Sequence, residues 1–214
     1  MGNLKPEIRD RIVTGSVELF QKMGAKNLSM DDISRSLGMS KKTIYQYFED
    51  KQTLLKVCVN YHFEGQECRM QSIHGENLPA VEEIFQIMDS VSSQIRQMAG
   101  AHRLIHDIQT YYPDAWSRFK EHKEKFVISL IEKNLIKGIE EGVYRPEIDV
   151  KIIARIRSAE IDAMLNPELF PMYDFNLNRL FEQLLLYFLH GVCTPKGVKI
   201  LAKLIQKQQQ SLNP

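Results

Sequence analysis

Cysteine is scarce in this chain, three in 214 residues (Cys58, Cys68 and Cys193), with no C-x-x-C spacing. An odd, scattered set of this kind argues against a disulfide framework. Long apolar runs are missing too. The longest, Leu184 to Leu189, is closed by Gln183 and His190, far short of the ~20 residues that span a bilayer. The opening MGNLKPEIRD has no apolar stretch of the secretory kind, and Pro6 stands where a myristoylation signal wants Ser or Thr. A soluble, cytoplasmic protein is therefore expected. Eleven Gly, eight Pro and 26% charged residues exclude collagen-like and disordered chains. Also absent are G-x-S-x-G, H-E-x-x-H and any Gly-rich phosphate loop, so nothing points to an enzyme or to a cofactor.

Net charge is only +1, but its distribution is uneven. Residues 1–56 hold ten Lys/Arg against seven Asp/Glu, and the remainder holds eighteen against twenty. A mildly basic head on a mildly acidic body permits nucleic-acid binding by a small module.

Helical periodicity dominates what is there. Ile8, Ile12, Leu19, Phe20 and Met23 share one face of a first helix that Gly24 stops. Ser29, with Asp31 and Asp32 behind it, caps a short second helix carrying Ile33 and Leu37, which ends at Gly38. Ser40 caps a third, Lys41 to about Phe48, and Asp50 caps a fourth that runs over about 51–73. Longer amphipathic segments follow at roughly 80–98, 102–111, 114–137, 147–165, 174–190 and 195–209. Gly100, Pro113, Gly138, Gly142, Pro146, Asn166-Pro167 and Thr194-Pro195 punctuate them. The expected fold is all-α, with a three-helix head (1–50), a connecting helix (51–73) and a larger helical body (74–214).

Chemistry concentrates in residues 29–48, S-M-D-D-I-S-R-S-L-G-M-S-K-K-T-I-Y-Q-Y-F. A short helix, a tight turn at Gly38 and a second short helix make a helix-turn-helix pattern. Ile33, Leu37, Ile44 and Phe48 are expected to point inward. Lys41, Lys42, Thr43, Tyr45, Gln46 and Tyr47 are then left outward. That outward set suits DNA: Lys reaches guanine or phosphate, Gln pairs with adenine, and hydroxyls donate to phosphate oxygens.

Residues about 8–56 resemble the DNA-binding domain of the TetR family of bacterial transcriptional regulators. The resemblance rests on I-V-T-G-S-V-E-L-F-Q-K-M-G and on the helix-turn-helix closing in Tyr45, Tyr47, Phe48 and Lys51. Gly15-Ser16 and Ser34 depart from the alanines the family favours there, though all are small. The resemblance implies a homodimer whose recognition helices enter successive major grooves of a near-palindromic operator, about 34–36 Å apart. It also implies that Lys42, Tyr45 and Gln46 face bases, and that Ser29, Ser40, Lys41, Thr43, Tyr47 and Lys51 hold phosphates. Lys51 is the foremost phosphate candidate. The body would bind a small-molecule effector and dimerise, and the fourth helix would carry the movement between body and head. Repression is the favoured role. An activator of the same fold, or a helical protein-interaction module without specific DNA binding, is the alternative.

The body offers candidates rather than motifs. Phe85, Met88, His102, His106, Tyr112, Trp116 and Phe119 could line a mostly apolar effector pocket. The segment 174–190 is apolar almost all round, so Leu177, Phe181, Leu184 and Phe188, with Ile153, Ile156 and Met164, could form a dimer seam. His102 and His106 stand at i and i+4 but lack a third ligand, so no metal site is expected. Arg155, Arg157, Glu160 and Asp162 are spaced for structural ion pairs, and Cys58, among Leu54, Leu55 and Tyr61, for a small buried hydrophobe.

Overall fold

The computed structural model describes residues 5–97, 101–164, 166, 168–171 and 173–212, with only the backbone described for 94–97, 101–102 and 211–212. The helices run α1 (Pro6–Met23), α2 (Met30–Ser36), α3 (Lys41–Tyr47), α4 (Lys51–Gly75), α5 (Ala80–Gln97), α6 (Ala101–Tyr111), α7 (Pro113–His122), α8 (Ile128–Glu140), α9 (Val150–Met164), α10 (Leu177–Val192) and α11 (Pro195–Leu212). A single π-helical turn, Lys123–Val127, joins α7 to α8. Among the described residues the only extended pairing is one antiparallel bridge, Tyr144 to Cys193. The fold is all-α, and among the described residues no helix is long and apolar enough to cross a membrane.

Two compact units share the chain. The first takes residues up to Cys68 together with Gln97–His122, and the second takes Arg69–Arg96 together with Lys123 onward. The sequence reading divides the chain linearly, at 50 and 73, whereas the units interleave. The chain passes between them three times, within α4, within α5 and at the α7 end of the π turn.

In the first unit Ile12, Phe20, Leu28, Ile33, Ile44, Phe48, Leu54 and Leu55 are buried together with Ile108 of α6, Ala115 of α7 and Tyr112 between them. Gly15 is a packing residue here. A Cβ at this position would lie 2.3 Å from Leu37 Cδ2, so the absence of a side chain lets α1 and the end of α2 close up. Cys58 is buried in the same core, its thiol pushed up to about 12 by burial.

The second unit is built around Tyr144, which is fully buried. Its hydroxyl donates to Asn134 Oδ1 at 3.1 Å and to Ala80 O at 3.3 Å. Asn134 Nδ2 in turn donates to Ala80 O and to the buried Glu83. Burial alone would raise the Glu83 pKa, but bonds from Lys137 (2.8 Å), His74 (3.1 Å) and Asn134 outweigh it and hold the carboxyl below its ordinary range. Gly138, which reads as a helix stop in the sequence, lies inside α8 instead. A Cβ there would stand 1.9 Å from the Tyr144 ring, so this glycine admits the aromatic ring and the helix continues to Glu140.

The charged residues of α9 pair partly as spaced and partly across elements. Arg157 meets Glu160 at 3.2 Å, whereas Arg155 reaches Glu124 at 2.7 Å and Asp162 pairs with Lys123.

Candidate nucleic-acid interface

The helix-turn-helix forms because each of its short helices is capped by its own sequence. Ser29 Oγ accepts from the Asp32 backbone N–H at 3.1 Å, and Asp32 Oδ2 accepts from the Ser29 N–H at 3.0 Å, a reciprocal box. The Ser29 hydroxyl also donates to Asp32 Oδ2 at 2.6 Å, and this bond first, then the Ser29 N–H, holds the Asp32 carboxyl below its ordinary value. Gly38 takes φ +63°, the left-handed turn that separates the helices. Ser40 Oγ then caps α3 by accepting from the Thr43 N–H at 3.1 Å.

Ile33, Ile44 and Phe48 are buried as expected, and Leu37 is half-buried against Gly15. With those anchors inside, α3 turns Lys41, Lys42, Tyr45 and Gln46 outward. Tyr45 is 50% exposed, its ring free to meet a partner. Thr43 and Tyr47 are half-buried. Lys41 forms an ion pair with Asp31, and the Tyr47 hydroxyl accepts from the Lys5 N–H at 2.9 Å. Arg11 Nη2 donates to Leu37 O at 2.9 Å, tying α1 to the turn.

Lys51 departs from expectation. Its ammonium donates to the carbonyls of Leu28 (2.7 Å), Ala25 (3.0 Å) and Lys26 (3.4 Å), and it lies 5.5 Å from the centroid of the Tyr112 ring. Three carbonyl oxygens match the three ammonium hydrogens. The side chain therefore holds the loop between α1 and α2 rather than presenting a free cation to phosphate.

The expected effector-lining residues divide between the units. Phe85 and Met88 line a cleft of about 460 Å³ in the second unit, with Phe181, Leu185, Leu186 and Ile205 as apolar neighbours and Asn176, Arg179 and Gln208 among the polar ones. Tyr112, Trp116 and Phe119 belong to the first unit's core, where Tyr112 donates to Ala25 O at 3.3 Å and Trp116 stacks on Phe119. His106 is exposed on α6. The side chain of His102 lies outside the described residues.

The expected seam is corrected in part. Met164, Phe181 and Phe188 are 1%, 4% and 7% exposed within the second unit, so they pack its own core and cannot also face a partner. Ile153, Leu177 and Leu184 are half-buried against that core. Ile156 is exposed, as are two residues the sequence reading passes over, Ile152 and Tyr187, the latter at 73%.

Comparison with known proteins agrees with this geometry. Residues 12–58 match the sequence profile of the bacterial regulatory proteins, tetR family. The chain is 25% identical over 175 residues, 80% of either protein, to YvaF, an HTH-type transcriptional regulator of Bacillus subtilis. In three dimensions it is similar to a transcriptional regulator of Saccharomonospora viridis solved with choline (TM-score 0.76, 19% identity, 89% of this chain and all of that one). It is also similar to SmeT solved with triclosan (TM-score 0.71, 15% identity, 88% and 93%). Residues 12–58 are thus the part of the chain that matches the DNA-binding region of the bacterial regulatory proteins of the tetR family, and over most of its length the chain is similar to an HTH-type transcriptional regulator.

Proposed function

We propose that the protein is a one-component repressor, a homodimer that leaves a near-palindromic operator when a small, mostly apolar molecule binds its second unit. The observation that carries the DNA side is the outward face of α3, where Lys42, Tyr45 and Gln46 stand clear while Ile44 and Phe48 anchor the helix. Lys42, Tyr45 and Gln46 are the base-reading set. Ser40, Lys41 and Thr43 at the start of α3, with Ser29 and Tyr47, flank it as backbone contacts. Lys51 leaves that set for the loop-holding role its three carbonyl partners define.

The exposed Ile152, Ile156 and Tyr187 support dimerisation through α9 and α10. The cleft beside Phe85 and Met88 has the size and apolar floor of a small-molecule site. Two structurally similar regulators hold choline and triclosan, which supports a small organic effector here without fixing its identity. An effector that favours a dimer with its heads at another spacing must weaken operator binding by the same coupling factor.

The test is release. A duplex selected on the full-length protein is labelled, and small organic compounds are screened for loss of anisotropy. The screen is repeated with Leu185→Trp, which fills the cleft. Compounds that release the wild type but not the filled variant support the reading. Release that is identical in both variants places the effector outside this cleft.

A further inference from the structure

The loop that delivers the chain into the helix-turn-helix is held by a side chain some eighty residues away. Gly24 ends α1 at φ +81°, and residues 24–28 then lead to Ser29, the cap of α2. Asp107 on α6 is 4% exposed. A single oxygen of its carboxylate, Oδ2, accepts from the backbone N–H groups of both Ala25 and Lys26, each at 2.8 Å. The fit around it leaves no slack, since a Cβ on Gly24 would lie 2.8 Å from that same oxygen. On its carbonyl side the loop is taken by Lys51, at Ala25, Lys26 and Leu28, and by the Tyr112 hydroxyl at Ala25. The loop's amides thus meet an anion and its carbonyls a cation, and the anion comes from outside residues 12–58, the part that matches the DNA-binding profile.

We propose that Asp107 is a positioning residue for DNA reading. By fixing the amides of Ala25 and Lys26 it sets where α2 begins, and through the Gly38 turn it sets the pitch at which α3 presents Lys42, Tyr45 and Gln46. Charged hydrogen bonds to backbone amides are short and directional. Base readout needs side chains placed to within a fraction of an ångström, whereas attraction to phosphate tolerates a tilted helix. Loss of Asp107 therefore removes sequence discrimination before it removes affinity for DNA in general. The inference rests on the proposed base-reading role of α3.

The experiment uses the full-length protein. A duplex recovered by selection on the wild type is compared with a shuffled duplex of equal length, for wild type, Asp107→Ala and Asp107→Asn, with binding expressed per folded dimer. Asp107→Asn keeps an oxygen where Oδ2 stands. The Ala variant is expected to lose at least about tenfold in its preference for the selected duplex, about one charged hydrogen bond. Its affinity for the shuffled duplex should stay within about threefold, and the Asn variant should recover most of the preference. A lower melting temperature with unchanged preference would overturn the proposal, because Asp107 would then only stabilise the fold. An equal loss on both duplexes overturns it as well. Failure of the wild type to select any duplex sinks the α3 reading itself, and is distinct from both. Should Asp107→Ala not fold, hydrogen exchange of the wild-type Ala25 and Lys26 amides decides. Slower exchange on adding the selected but not the shuffled duplex supports the proposal, and equal exchange contradicts it.

Discussion

Lys51 Nζ lies 2.7 Å from the carbonyl oxygen of Leu28, with Ala25 O at 3.0 Å. This contact ties the first turn of α4 to the loop before α2, and it decides how the lysine acts in DNA binding. Replacing Lys51 by Met leaves three carbonyls without their cation. It should destabilise the first unit by about 2–3 kcal/mol, the scale of hydrogen bonds to a charged group. The salt dependence of DNA binding should not change, whereas loss of a phosphate contact would lower its slope by about one. Denaturant melts and anisotropy across a salt series separate the two.

On α3 the opposite signature is expected. Tyr45→Ala and Gln46→Ala should each relax sequence preference by about 1–3 kcal/mol with little change in stability, because both side chains are exposed. Lys41→Ala, at a backbone-contact position, should weaken binding to all sequences alike and lower the salt slope by about one. Competition between selected and shuffled duplexes reads both effects.

Gly138→Ala sets two effects against each other. Alanine gains about 1 kcal/mol of helix propensity inside α8. Its Cβ, however, would stand 1.9 Å from the Tyr144 ring, whose hydroxyl is tied to Asn134 and Ala80. Overpacking of this kind costs about 1–3 kcal/mol, so a net loss of about 1 kcal/mol in the second unit is expected. Equilibrium unfolding checks it, and a stabilised variant would refute the tight fit.

His122 gives a pH dependence. It is buried, stacked on Phe63 at 4.1 Å between ring centroids, with Nδ1 2.8 Å from Glu67 Oε1. Burial lowers its pKa below the ordinary 6.5 and outweighs the opposing contact with Glu67. Between that depressed value and 6.5 the unfolded chain binds a proton that the folded chain refuses. The stabilisation is therefore whole above 6.5 and is lost as pH falls through that window. Glu83, held below its ordinary 4.5, loses its own contribution at lower pH still. His122→Phe keeps the stack and should flatten the melting temperature just below pH 6.5, with the fall below pH 4.5 remaining.

Exposed and buried residues of α10 should part company. Tyr187→Asp is expected to give a folded monomer, because the ring is 73% exposed. Phe188→Asp puts a charge at a 7% exposed core position and should unfold the second unit. Sedimentation and circular dichroism distinguish these outcomes, and a dimeric Tyr187→Asp protein would move the interface elsewhere.

What the sequence made legible is what neighbours along the chain decide. Ser29, Asp32, Gly38 and Ser40 act within a few residues of themselves, so the helix-turn-helix could be read with its caps and its outward face. Lys51 and Asp107 find their partners 23 and 82 residues away, and no local pattern distinguishes a lysine that holds a loop from one that waits for phosphate. Gly138 reads as a helix end because glycine usually is one; only the approach of Tyr144 gives it another reason. The 174–190 segment is apolar on most sides, so periodicity announces burial without telling the chain's own core from a second copy. Phe181 and Phe188 went to the first, and Tyr187 faces outward.

The most direct test of the central claim is selection of random duplex DNA by the full-length protein, run in parallel with a Tyr45→Ala, Gln46→Ala double variant. The account predicts that the wild type enriches a near-palindrome with half-sites centred about one helical turn apart. Its binding should weaken steeply with salt, and the variant should lose the preferred bases while keeping general affinity. Enrichment of the same sequence by both proteins, or of none by the wild type, would contradict the claim that α3 reads DNA.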